Sequence, residues 1–118
     1  MATFVRCEGI FNAGDAYPMT HQRSVQRLEN LDAFRVLNYS KEWRVLILAD
    51  DTAGNSHIIA ECMTGGDDTA QELFDTASRL RDDLLLNTSS ENGSAIFSVD
   101  VRSGQIYSET PGGSQPGA

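Results

Sequence analysis

The sequence predicts an α+β fold, an antiparallel sheet of about five strands with two helices in the order (β)-α-βββ-α-ββ. Three observations carry this expectation: three β-rich runs joined by short polar connections, a capped amphipathic segment after them, and an alternating run closed by a tight turn.

The front of the chain, residues 3–11 (Thr-Phe-Val-Arg-Cys-Glu-Gly-Ile-Phe), suits a short strand interrupted at Gly9, which Asn12-Ala13-Gly14-Asp15 ends as a turn. In residues 20–34, Val25, Leu28, Leu31 and Phe34 recur every third position with Arg23, Gln26, Arg27 and Glu29 between them. That spacing predicts an amphipathic helix rather than an alternating strand, with Thr20 as its cap. Residues 34–39, 43–50 and 56–63 are rich in β-branched, aromatic and aliphatic side chains, and connections this short make them antiparallel neighbours in a meander. The middle run, from Trp43 to Ala49, is apolar on both faces, as a central strand covered on each side should be.

The second helix is expected over residues 68–86. Thr69 and Glu72 have capping-box spacing, Asp67 and Asp68 put negative charge at the positive end of the dipole, and Ala70, Leu73, Ala77, Leu80 and Leu84 form one stripe. Asp75 stands four residues before Arg79, an orientation that favours an ion pair. Residues 87–93 should stop the helix. Ala95, Phe97, Val99 and Val101 then alternate with Ser94, Ser98 and Asp100, with Ile96 the one exception, Arg102-Ser103-Gly104 turns the chain, and residues 105–109 return as a partner strand. The folded domain is expected over residues 1–110, with 111–118 as a flexible Gly/Pro/Ser tail.

A chain of 118 residues fits one domain and buries roughly 65% of its extended surface on folding, enough for a core without metal or disulfide staples. Nine Lys and Arg stand against seventeen Asp and Glu, a net charge of −8. That balance argues against a nucleic-acid partner and against an anionic membrane, since both are bound by clustered Lys and Arg. The imbalance is concentrated: residues 1–59 carry six basic and seven acidic side chains, residues 60–118 three and ten. Asp67, Asp68, Glu72, Asp75, Asp82 and Asp83 would make an acidic face, which either keeps the protein dissolved or steers a basic partner. The longest apolar stretch, from Val45 to Ala49, is too short to span a bilayer, and no signal-peptide pattern opens the chain, so a cytoplasmic location is expected. Cys7 and Cys62, with no CxxC and no His at zinc-ligand spacing, read as reduced thiols.

The supply of reactive groups is poor. His21 and His57 are the neutral-pH bases available, and neither lies in a GxSxG, HExxH or HxE context. The pairs Asp50-Asp51, Asp67-Asp68 and Asp82-Asp83 point their members in different directions on a helix or strand, and EF-hand spacing is absent, so no metal is assigned. Gly65-Gly66 before the second helix suggests an anion nest, yet Asp67 and Asp68 follow and repel phosphate. No catalytic residue and no cofactor is therefore expected.

The order helix, three-stranded meander, helix, hairpin resembles that of class I type III secretion chaperones and the related YbjN-type domains. Leu84-Leu85-Leu86-Asn87 resembles the LLxxN-like helix ending of those families, and residues 97–107 (Phe-Ser-Val-Asp-Val-Arg-Ser-Gly-Gln-Ile-Tyr) resemble their strand, acidic Gly turn and return strand. The similarity covers about residues 20–109, leaves residues 1–19 without a counterpart, and lacks the chaperones' C-terminal helix. It implies a small acidic protein, often a homodimer, that holds a segment of a partner protein or acts as an adaptor.

The expected function is accordingly non-enzymatic: a protein-binding module of chaperone or adaptor type, receiving a partner segment at a sheet edge and in apolar pockets. Tyr39, Trp43, Ile58, Ile96 and Tyr107 are the expected contact residues, with ordinary core or dimer packing as the alternative for each. Two other readings stand beside it: a small acidic inhibitor or immunity-type protein seated on a basic site, and a subunit of a larger viral or shell assembly.

Overall fold

The computed structural model describes residues 3–12, 19–39, 43–65, 67–89 and 95–109. The chain runs β1 (Thr3–Cys7), β2 (Gly9–Phe11), β3 (Met19–Thr20), β4 (Ser24–Arg27), a 3₁₀ turn (Leu28–Asn30), β5 (Leu31–Tyr39), β6 (Arg44–Asp51), β7 (Ser56–Met63), α1 (Asp67–Ser89), β8 (Ala95–Asp100) and β9 (Gln105–Glu109). The fold is α+β, but the expected single five-stranded sheet with two helices is wrong. The described residues form a four-stranded sheet in the order β4-β1-β8-β9 and a five-stranded sheet in the order β3-β2-β7-β6-β5, with one α-helix.

The expected first helix, residues 20–34, is where the error lies. Those residues are β3, β4, the 3₁₀ turn and the start of β5. The three-residue spacing has a different origin. Within β4, exposure alternates residue by residue, the 3₁₀ turn then resets the phase, and a bulge on β5 resets it again. At that bulge Ala33 adopts a positive φ of 51°, and the register with β6 slips between Asp32 and Arg35. Leu28 and Leu31 are only 7% exposed, whereas Val25 is 42% exposed, so the four apolar residues do not share a helical stripe.

The front strand is also two strands, not one. β1 pairs in parallel with β8 and antiparallel with β4, while β2 pairs with β3 and β7 in the other sheet. Between them the Glu8 N–H donates to the Ile58 carbonyl at 2.6 Å, so the backbone stays bonded as it changes sheets. A Cβ on Gly9 would lie 2.1 Å from the Thr20 carbonyl oxygen, which makes this close approach of β3 possible only for glycine.

The meander β5-β6-β7 is as expected, and Val45 to Ala49 on β6 are fully buried. One face of this sheet joins Val45, Ile47, Ala49 and Ile59 to Val5, Cys7 and Phe97 of the other sheet and to Ala77, Leu80 and Leu84 of α1. Those helix residues belong to the expected stripe, and the helix runs from Asp67 to Ser89, three residues past its expected end. The opposite face buries Leu46, Leu48 and Ile58 under Phe11, Met19, Leu37 and Tyr39. Phe11 on β2 and Tyr39 on β5 meet edge to face at 5.6 Å although two strands separate them, so the sheet coils tightly around this second cluster. The β8–β9 hairpin turns at Gly104, whose φ is +71° and whose N–H donates to the Asp100 carbonyl at 3.0 Å. Among the described residues no helix is long and apolar enough to cross a membrane. The expected tail, residues 111–118, lies outside the described residues.

Candidate functional site

Strand β5 is the edge of the five-stranded sheet, nine residues long and paired on one side with β6. Its first third carries the Ala33 bulge, a device that turns an edge away from stray pairing. From Arg35 to Tyr39 the pairing with β6 is regular and no Pro interrupts it, and the one charged residue of the stretch, Arg35, is turned inward to Asp50 at 3.6 Å and Ser56 at 3.2 Å. Beside the bulge, between the 3₁₀ turn, the start of β1 and Leu85 of α1, lies a cleft of about 620 Å³. Leu28 and Leu31 from the 3₁₀ turn and strand, Phe34, and Leu85 from the end of α1 give it an apolar lining, and Glu29 and Asp32 add two carboxyl groups. Glu29 is ion-paired with Arg27, and Asp32 accepts the Ala33 N–H at 2.8 Å. A second cleft of about 440 Å³ shares Glu29, Leu31 and Asp32 with the first and adds Asn30, Asp51 and Thr52. Apolar side chains and carboxyl groups thus meet beside the β5 edge, which has no strand on its outer side among the described residues.

The five expected contact residues do not form one surface. Ile58 is fully buried in the second core cluster, the core packing that stood as its alternative, because its strand lies inside the coiled sheet. Tyr39 packs on Phe11 at the rim of the same cluster. Trp43 is 52% exposed in the turn before β6, where it takes a left-handed φ of 56° and its carbonyl accepts the Thr64 N–H at 2.7 Å. Ile96 and Tyr107 sit on the other sheet, Ile96 half-buried and Tyr107 49% exposed.

Of the acidic face, Glu72, Asp75 and Asp82 are exposed on α1 and Asp83 is partly so, while the side chains of Asp67 and Asp68 lie outside the described residues. The expected Asp75–Arg79 pair is replaced. Arg79 reaches Asp83 at 3.3 Å and the Gly104 carbonyl at 3.1 Å, which ties the helix to the β8–β9 turn, and Asp75 accepts from Gln71 at 2.9 Å.

Both histidines have carboxylate partners. His57 is 5% exposed, and its Nε2 donates to Asp51 Oδ2 at 2.7 Å; its Nδ1 is buried with no partner among the described residues. The imidazole and the N–H groups of Asn55 and Ala53 hold the Asp51 carboxyl at about 2, below its usual 3.8. The pair braces the β6–β7 turn, with the imidazole buried and the Asp51 carboxylate at the margin of the smaller cleft. His21 is exposed and bonds Glu61 at 2.9 Å, and Glu61 also takes Arg44 at 3.0 Å, which leaves the carboxylate satisfied from both sides. Neither imidazole lines the 620 Å³ cleft. Cys7 and Cys62 are free and buried; burial pushes the Cys7 thiol up to about 12 and raises Cys62 as well. Among the described residues no three His, Cys, Asp or Glu side chains gather as a metal site would require.

The cleft residues were visible in the sequence as the apolar series Leu28, Leu31 and Phe34, but their three-residue spacing concealed an edge strand. No protein-family model, curated protein or solved structure matches the chain.

Proposed function

We propose that this chain is a non-enzymatic protein-binding module that receives an extended, basic segment of a partner along β5. The observation that carries the reading is the continuity of the β5 edge, regularly paired and free of Pro from Arg35 to Tyr39, with the leucine-lined cleft at its bulged end. A segment lying along the five residues from Arg35 to Tyr39 covers about 17 Å before it reaches the bulge. Its backbone adds to the sheet by hydrogen bonds, and its onward side chains enter the cleft between the 3₁₀ turn and Leu85. Glu29 and Asp32, on a chain of net charge −8, favour Lys or Arg beside the apolar anchors. Chaperone or adaptor activity of the kind implied by the secretion-chaperone resemblance is one use of such a site, and a homodimer is compatible with it.

The test is a peptide panel in which apolar and basic residues alternate, titrated into the isotope-labelled chain. Chemical-shift changes should fall on the β5 amides and on the methyl groups of Leu31 and Leu85. Leu85→Glu should weaken binding about tenfold or more, a loss of about 1.4 kcal/mol, whereas Glu72→Gln on the exposed helix face should leave it unchanged. Binding that maps elsewhere, or no binding by any alternating peptide, defeats the proposal. Salt separates the readings when combined with mutation: at high ionic strength the edge-and-cleft site keeps its backbone and leucine contacts and loses only part of its affinity, whereas nearly complete loss, with Leu85→Glu without effect at low salt, favours the acidic inhibitor.

A further inference from the structure

We draw no further inference here: the strongest candidate, the cleft of about 440 Å³ where Glu29, Asp32 and Asp51 gather beside the β6–β7 turn, is an acidic cluster whose carboxylates are already taken by Arg27, the Ala33 N–H and His57, the unpartnered Nδ1 of His57 lies outside its lining, and nothing else among the described residues there points to a ligand.

Discussion

Alanine at Leu28 and at Val25, one substitution at a time, distinguishes the two readings of residues 20–34. A helical stripe would bury both, whereas in the structure Leu28 is 7% exposed beneath the 3₁₀ turn and Val25 is 42% exposed on the outward face of β4. Leu→Ala removes three carbons from the core, about 2 kcal/mol of transfer energy at roughly 0.8 kcal/mol per carbon, and the cavity left behind brings the loss to about 2.5–4 kcal/mol. Val→Ala removes two methyl groups that are already nearly half in water, a loss of about 0.8 kcal/mol or less. Urea unfolding followed by far-ultraviolet circular dichroism reports both, at the lowest workable protein concentration so that association does not contribute. For a domain of this length the difference corresponds to a gap in melting temperature of roughly 6–15 °C. Equal losses at the two positions would mean that they share one buried stripe, and the strand–turn–strand description would have to be abandoned.

Three further outcomes follow from the geometry. The Asp51 carboxyl, held at about 2 chiefly by His57, binds fewer protons folded than unfolded; its contribution to stability is present above about pH 4 and drains as pH falls toward 2, so Asp51→Asn should flatten the fall in urea midpoint across that window. Gly9→Ala sets a Cβ against the Thr20 carbonyl and should cost about 1–3 kcal/mol, with hydrogen exchange at the Met19 and Thr20 amides rising first; unchanged exchange there would count against the close approach of β3. At pH 8 a thiol-specific colorimetric reagent should label neither Cys7 nor Cys62 in the native protein and both in denaturant, since both are buried and the Cys7 thiol sits near 12.

The elements legible in the sequence are those whose side-chain period runs unbroken. The helix stripe through Leu73, Ala77, Leu80 and Leu84, the all-apolar β6 and the alternation from Phe97 to Val101 each report their own backbone, because every turn or pleat repeats the last. Residues 20–34 failed that test for a physical reason. Two phase resets, the 3₁₀ turn at Leu28 and the left-handed Ala33, converted an alternating pattern into one of apparent period three. The cleft was hidden with them, since it exists only where the bulge and the end of α1 face each other.

Composition and local pattern alone determined the acidity of this chain, its scarcity of reactive groups, its long helix and its closing hairpin. The tertiary structure decided the division of the front strand between two sheets, the pairing of His57 with Asp51 and of His21 with Glu61, and the contact of Phe11 with Tyr39. A strand's hydrogen-bond partner belongs to another part of the chain: residues 3–5 pair with 95–97 and residues 9–11 with 56–58. No window of neighbouring residues contains that choice, which is made by the energy of closing both sheets around one core.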